Sequence, residues 1–377
     1  MKIRIAKLAL VSLITGLIGC GPGDGSKELT LARQAYELSD LTRAEKLLTA
    51  SLEIKPENVD AILLLARVKL DLGNLTDAGE IIKSAISASP DDVDVKLVHA
   101  HILWHAKEYE RSYELFKSIA DDTKLSAQLR AQGWAGIGVV EMARESDLHL
   151  ARIAFMRAIR FDRMNAAAWY HLGLVYRDFG YNEAALEQFD IFVRLETSAS
   201  PRVQRVQRSV IPALKELIAR ETANRAGVSK RDSAASAAAL AKAEAHWKKG
   251  QYTLAISEYK KATSADPLSY PAALGLAKAL LKTDKTKEGR RKALESYRNA
   301  CSLRPGAIQT FVTAGELAAS MNYHAQSLEI FSRAIAASPA SIQCIDGLIR
   351  AMWKTGAPKS VSRAYQLYRE SLSIKNK

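Results

Sequence analysis

Small, aromatic and proline positions recur at a spacing of 34 residues along most of this chain. In the clearest unit, residues 166–196, Leu172 and Tyr176 are four apart, which places them on one face of a helix. A fixed period of this length indicates stacked units of similar structure, each covering the next. Pairs separated by 34 positions are Ala44 and Ala78, Ala78 and Ser112, Ala151 and Ala185, Phe155 and Phe189, and Pro305 and Pro339.

The unit at 166–196 carries a family motif. Gly173 and Ala185 are small at positions where two helices would approach closely. Gly180 stands where the first helix would end in a left-handed residue, and Phe189 would fill the space between neighbouring units. In residue type and spacing the unit resembles the tetratricopeptide repeat (TPR) family. The motif residues are Trp169, Leu172, Gly173, Tyr176, Gly180, Ala185 and Phe189.

The resemblance implies an all-α fold, a right-handed superhelical solenoid of about nine TPR-like helix-turn-helix repeats. Two repeats carry insertions, and we expect longer turns between their helices at 282–291 and 354–363. Further copies span 61–90, 243–267 and 310–339, and weaker ones begin near Ser26, Val93, Gln132, Pro271 and Ser341.

The period breaks at residues 120–130 and again, over a longer stretch, at residues 197–235. There, residues 206–223 predict an extra helix, and the following stretch, rich in Ser, Ala and charge, predicts a linker. We therefore expect two blocks of repeats. The predicted division is a signal peptide at 1–19, a flexible tether at 20–27, block 1 (repeats 1–5) at 28–199, the extra helix and linker at 200–235, and block 2 (repeats 6–9) at 236–377.

The N-terminus has the pattern of an export signal. Residues 1–7 carry three positive charges, and residues 8–19 are uncharged. Twelve residues are too few for a helix that crosses a bilayer, which needs roughly 20. The stretch from Leu17 to Cys20 resembles the bacterial lipobox, which implies lipid attachment at Cys20 and cleavage before it. Gly21, in place of Asp, favours the outer membrane by the same resemblance. The alternative is an uncleaved helix with an incidental cysteine.

Charge is unevenly distributed. The whole chain carries +13, but residues 20–199 hold 21 basic and 28 acidic residues (−7), whereas residues 200–377 hold 30 and 13 (+17). This asymmetry predicts an anionic partner for the second half. An ordinary solvated basic surface is the alternative.

The sequence gives no positive indication of catalysis, and we expect neither an enzyme nor a cofactor. His101 and His105, four apart on a helix, could share a metal. However, no acidic or cysteine partner lies at matched spacing, which favours packing or a protein-binding surface. Cys301 and Cys344 fall on helices of different repeats with a whole repeat between them, so we expect two buried free thiols.

The TPR resemblance implies that the first helix of each repeat lines a concave binding surface. Mapping the outward positions of these helices gives candidate partner-binding residues. In block 1 they are Arg33, Tyr36, Arg67, His101, Trp104, His105, Tyr170 and Arg177, and in block 2 they are Glu244, Trp247, Lys248, Lys278, Lys282, Arg350, Trp353 and Lys354. Adjacent Trp–Lys pairs recur in block 2, and Trp is a frequent interface anchor.

Together these features predict a lipid-anchored scaffold of the bacterial envelope that faces the periplasm. Its partner would be an acidic extended peptide or helix of an envelope, secretion or assembly protein, with membrane contact through the lipid only. No nucleic acid and no small-molecule substrate is expected. The alternative is that the basic second block binds an anionic envelope polymer such as peptidoglycan.

Overall fold

The computed structural model describes residues 25–144, 148–196, 200–226 and 231–374. Cys20 and the predicted signal peptide lie outside these residues. The described part is helical without strands, and nine helix-turn-helix units follow one another in it, which confirms the fold class and the number of repeats. In chain order the units are α1 (Ser26–Glu37) and α2 (Leu41–Ile54), α3 (Val59–Asp71) and α4 (Leu75–Ala88), α5 (Val93–His105) and α6 (Tyr109–Asp121), α7 (Ala127–Ala143) and α8 (Leu148–Phe161), α9 (Ala166–Asp178) and α10 (Asn182–Leu195), α13 (Ser233–Lys248) and α14 (Tyr252–Ala265), α15 (Tyr270–Thr283) and α16 (Lys287–Leu303), α17 (Ile308–Ser320) and α18 (His324–Ala337), and α19 (Ile342–Thr355) and α20 (Lys359–Ile374).

The predicted extra helix is present between the fifth and sixth repeats. It consists of α11 (Pro201–Arg205), a π-helical turn (Val206–Val210) and α12 (Ile211–Ala226). Its apolar side chains Val203, Val206 and Leu214 are buried in the same core as the neighbouring repeats. The segment is thus an integral part of the packed structure.

Local sequence signals fix where the helices begin and end. Asp40 and Asn58 accept hydrogen bonds from backbone N–H groups in the first turns of α2 and α3, which satisfies donors that have no partner within the helix. Gly180 adopts φ +74°, as its position in the motif predicts. The turn residues that share this left-handed conformation after a first helix are Ser39, Gly73, Lys107, Gly180, Gly250, Asn322 and Gly356.

The described residues form two compact units, which divide between Ala106 and Lys107. In the first unit, Leu48 and Ala61 belong to one buried cluster, and Ile82 and Val98 belong to a second. In the second unit, one large cluster extends from Ala135 on α7 to Leu372 on α20. The larger unit also holds a separate, smaller buried cluster around the sixth repeat, formed by Ala243, Ala255, Tyr259 and Ala279.

Small residues face aromatic rings inside the second unit. A Cβ added to Gly173 would lie 3.0 Å from the Phe189 ring, and one added to Gly347 would lie 2.2 Å from the Phe331 ring. Such spacing leaves little or no room for a methyl group. The close helix approach that the motif predicts at Gly173 is confirmed.

A seam joins distant repeats within this unit, because α20 packs against α8. Arg152 of α8 is fully buried, and its Nε donates to Tyr365 Oη of α20 at 2.7 Å. The Arg160 guanidinium on α8 also donates to the Ser371 carbonyl on α20. We call this α8–α20 contact the seam.

The structure differs from the sequence-based expectations at two places. The turns at 284–286 and 356–358 are no longer than the ordinary turn at 249–251, so the expectation of longer turns was wrong, and the first insertion lengthens α16 to 17 residues instead. Helix α1 begins at Ser26, within the predicted tether, and the Ser51 hydroxyl donates to the Gly25 carbonyl. The predicted division into two blocks of repeats at 200–235 stays a prediction.

Candidate interaction surfaces

A cleft of about 470 Å³ lies between α17 and α19, the first helices of the last two repeats. The Phe331 ring of α18 lines it, and Gly347 leaves the space that this ring occupies. Arg350 and Lys354, four residues apart on α19, also line it. We call this feature the α17–α19 cleft. The other residues that line it are Glu316, Ala319, Asn322, His324, Ser327 and Ala351.

Cations outnumber anions in the α17–α19 cleft. A guanidinium nitrogen of Arg350 lies 3.8 Å from a Glu316 carboxylate oxygen, and both side chains are more than half exposed, so this pair is weak. Among the described residues, no carboxylate pairs with Lys354. Buried beside these groups, His324 Nδ1 makes no hydrogen bond with any described residue. The cleft can therefore receive carboxylate oxygens, which ammonium and guanidinium groups bind by charge-assisted hydrogen bonds.

The other candidate residues of block 2 lie outside this cleft. Lys248, Lys278 and Lys282 are exposed on their helices. Trp353 is 57% exposed, which is unusual for so large an apolar side chain. Trp247 instead packs edge-on against Tyr252, with ring centroids 4.9 Å apart, and so has a structural contact.

Within residues 1–106, a second cleft of about 270 Å³ lies among α1, α3 and α5. Arg33, Tyr36 and Arg67 line it, as the helix mapping predicts. Asp60 neutralises part of this surface, because it pairs with Arg33 at 2.7 Å. The Tyr36 hydroxyl donates to Asp71 at 2.8 Å. Its mixed charge distinguishes it from the α17–α19 cleft.

The histidine-rich stretch of α5 lies outside the residues that line that second cleft. The ring of Trp104 packs edge-on against His105, with centroids 4.6 Å apart. His101 is exposed to solvent on one side, but surrounding protein removes part of its hydration, and with the nearby Arg67 cation this lowers its pKa to about 4. Partial burial likewise lowers the pKa of His105. Across the described ranges, no group of three or more His, Cys, Asp or Glu side chains is arranged to hold a metal.

The last two block 1 candidates make local contacts. Tyr170 packs against Phe192, with ring centroids 5.2 Å apart, and the Arg202 guanidinium lies over the Tyr170 ring at 5.1 Å. Arg177 binds the carboxylate of its neighbour Asp178 at 2.9 Å. Packing thus accounts for Tyr170, while Arg177 remains a partly exposed surface residue.

Sequence reasoning missed a cavity of about 600 Å³ within the second unit. It lies between the α9–α10 hairpin and the α16–α18 region, which are more than 90 residues apart in the chain. Tyr181 and Phe311 supply aromatic surface. No sequence motif signals this cavity, because it exists only where distant repeats meet. Its charged lining consists of Glu183, Glu187, Glu221, Glu329 and Arg333.

Both described cysteines are buried and free, which confirms the expectation for Cys301 and Cys344. Burial raises the pKa of the Cys301 thiol to about 12 and also raises that of Cys344. Deep burial and a raised pKa make both thiols poor nucleophiles.

None of the described helices combines the length and the apolar character that a bilayer crossing requires.

Comparison with known families identifies three separate regions of the chain. Family models described as tetratricopeptide repeat match residues 35–102, 166–190 and 240–308. The middle match falls on the motif unit from which the resemblance was first drawn. None of the curated proteins matches the chain.

Solved structures with a similar fold include PilF of Pseudomonas aeruginosa, at 18% identity, which covers 52% of this chain and 91% of that one with a TM-score of 0.39. The Cut9–Hcn1 hetero-tetramer of the APC/C matches at 17% identity over 83% of this chain and 59% of that one, with a TM-score of 0.37. MamA of Desulfovibrio magneticus RS-1 matches at 15% identity over 50% and 100%, with a TM-score of 0.34. These likenesses are too remote to bear on function. The three family matches and the nine helix-turn-helix units of the described residues agree, and the chain belongs to the tetratricopeptide repeat superfamily.

Proposed function

We propose that this TPR protein is a non-enzymatic scaffold, anchored to a bacterial membrane through Cys20, that binds an acidic extended segment of an envelope, secretion or assembly partner. The TPR repeats support a protein–protein interaction scaffold. The binding surface is the inner face of the first helices in repeats 6–9. The observation that carries the proposal is the α17–α19 cleft, where Arg350 and Lys354 lie beside an aromatic floor.

The composition of the cleft favours a peptide with both acidic and apolar side chains. Lys354 and Arg350 supply donors for carboxylates, and the buried side chains of Phe331 and Ala351 form an apolar floor beneath them. Exposed Trp353 follows Met352 on the same helix and adds a large anchor beside the cleft. Lys278 and Lys282 extend the positive charge onto α15, and in the described part of the chain they form no ion pair.

The membrane anchor rests on the sequence alone. A lipidated Cys20, followed by the glycine-rich stretch that begins at Gly21, would hold the repeats near a bilayer at the periplasmic face, with the outer membrane favoured. Metabolic labelling with a fatty-acid analogue tests this part. Wild-type protein should incorporate label, and Cys20→Ala should not. Equal labelling of the two proteins, or none in either, would exclude the anchor.

The binding surface is tested by site-specific photocrosslinking in cells. A crosslinking amino acid at position 353 or 278 should capture one recurrent partner, which mass spectrometry then identifies. The same residue at position 260, on a second helix, is the matched control. Equal capture from all three positions would contradict binding on the first-helix face.

Charge reversal then tests the chemistry of recognition. The triple variant Lys278→Glu, Lys282→Glu and Lys354→Glu should lose most of the captured partner, because each substitution places a negative charge against an acidic segment. Undiminished capture would show that these three lysines do not bind the partner. Peptidoglycan is the competing ligand: cosedimentation with purified cell wall that fades with salt, without a crosslinked protein, would favour the polymer instead.

A further inference from the structure

The outer face of the extra segment, α11 to α12, carries a row of cations. Arg205, Arg208 and Lys215 are exposed, and they recur at helical spacing along one side. Residues 200–222 contain five basic residues and two acidic ones, a net charge of +3. The five basic residues are Arg202, Arg205, Arg208, Lys215 and Arg220.

The acidic residues of this segment do not neutralise that row. Glu216 pairs with Arg220 at 2.6 Å, and Glu221 accepts a hydrogen bond from Asn182 of α10. Throughout the described ranges, no carboxylate pairs with Arg205, Arg208 or Lys215. The three charges therefore face solvent uncompensated.

The segment is held rigidly enough to present these charges as a surface. Val203, Val206 and Leu214 anchor its inner side in the core of the second unit. From Arg202 to Arg220 the helical backbone extends roughly 27 Å, at 1.5 Å per residue.

We infer that this outer face, the α11–α12 basic face, docks on the headgroups of an anionic phospholipid bilayer. A row of uncompensated cations on a helix surface, about 27 Å long, is complementary in charge to a plane of anionic headgroups. The inference rests on the proposed membrane anchor, because a lipid on Cys20 would bring this face close to a bilayer. It adds a second contact with the bilayer, separate from the lipid on Cys20.

Vesicle cosedimentation of the full chain tests the inference. Wild-type protein and the variant Arg205→Glu, Arg208→Glu, Lys215→Glu are each mixed with phosphatidylglycerol–phosphatidylcholine vesicles and with pure phosphatidylcholine vesicles. We expect the variant to lose affinity for the anionic vesicles by about 100-fold, roughly fivefold for each basic residue removed. Binding to pure phosphatidylcholine should not change.

The Lys278, Lys282 and Lys354 charge-reversal triple is the matched control, because it changes net charge by the same amount on another surface. If it weakens vesicle binding as much as the α11–α12 triple, net charge and not this face is responsible, and the inference falls. Circular dichroism verifies that both triples remain folded.

Two further arms separate this inference from the proposed function. Binding of the wild-type protein to heparin, a soluble anionic polymer, is measured as well. If heparin binds more tightly than the anionic vesicles do, the ligand of this face is a polymer and not a lipid. Vesicle binding is also measured for Cys20→Ala, which lacks the proposed acylation site. Binding of this variant to anionic vesicles therefore measures the contribution of the α11–α12 basic face without the lipid anchor. If the protein is acylated but the two triple variants bind anionic vesicles equally, the anchor stands and the inference about the α11–α12 basic face is wrong.

Discussion

The Nε of Arg152 donates to Tyr365 Oη at 2.7 Å and thereby joins α8 to α20 across 213 positions of the chain. Arg152 is fully buried, and its other donors reach His149 Nδ1 at 3.1 Å and the Ser332 carbonyl at 3.4 Å. The rings of Phe179 and Tyr365 lie 5.2 and 5.5 Å from the guanidinium carbon. In the described residues, neutral acceptors and aromatic faces stabilise this cation without a carboxylate.

A double-mutant cycle should detect this contact. Tyr365→Phe removes the acceptor, and Arg152→Met removes the charge while retaining much of the volume. Each should destabilise the fold, and their effects should fall short of additive by about 1–3 kcal/mol, because hydrogen bonds to charged groups have this magnitude. Chemical denaturation of the four proteins supplies the free energies. Additive effects would mean that the two side chains act independently.

The sequence predicted the repeats well and the seam not at all. The motif at Gly173, Gly180 and Phe189 depends on contacts within one repeat or between neighbours, so a fixed spacing encodes it. Arg152 and Tyr365 belong to repeats far apart in the chain, and nothing in a local pattern states that they meet. The same limit explains the missed cavity beside Tyr181.

The sequence predicted on which side of its helix each candidate residue lies, but not which other side chains surround it. Spacing alone placed Arg350 and Lys354 on one side of α19, and the structure puts both in a cleft. Tyr170 occupies an equivalent position in its helix, yet Phe192 and Arg202 cover its ring. Arg202 belongs to the extra segment, and a repeat pattern cannot foresee what an interruption of the repeat will cover.

Glycine substitutions should separate packing from helix propensity. Gly347→Ala should destabilise the protein by about 1–3 kcal/mol, because its new methyl group would meet the Phe331 ring in a filled core. Gly79→Ala is the control: a Cβ there meets nothing within 4 Å, and alanine favours the helix by up to about 1 kcal/mol. The midpoint of thermal denaturation should therefore fall for Gly347→Ala and rise for Gly79→Ala. A tolerated Gly347→Ala would show that the aromatic floor has room to shift.

The two buried thiols should resist alkylation. With the pKa of Cys301 raised to about 12, the thiolate fraction at pH 8 is roughly 10⁻⁴. Iodoacetamide should modify neither Cys301 nor Cys344 in the native protein and both after denaturation, as peptide mapping would record. Rapid native labelling of either would mean that its helix pair opens readily.

Acid should weaken the seam through His149. Burial, followed by the Arg152 charge, lowers the pKa of His149 to about 3, below its unfolded value near 6.5. As the pH falls, the unfolded state therefore takes up a proton on His149 at a higher pH than the folded state does. The contribution of neutral His149 to the free energy of unfolding is complete above pH 6.5 and declines as the pH falls toward 3. His149→Gln should reduce the loss of stability between pH 7 and 5 by about 1–2 kcal/mol. His246→Gln, which changes a histidine outside the seam, is the control, and identical acid profiles for the two variants would exclude the His149 contribution.

The two tryptophans of the repeated Trp–Lys pairs should behave differently. Trp353 is 57% exposed, so Trp353→Ala should change the free energy of unfolding by less than about 0.5 kcal/mol. Trp247 packs edge-on against Tyr252, and Trp247→Ala should therefore destabilise the protein by about 1–2 kcal/mol. Recovery of the partner identified by crosslinking should show the reverse order, because an exposed tryptophan beside the α17–α19 cleft can serve as an anchor, and loss of such an anchor reduces affinity by about 30-fold. Undiminished recovery with Trp353→Ala would remove this residue from the proposed binding surface, whereas a large loss of stability would show that its role is in the fold.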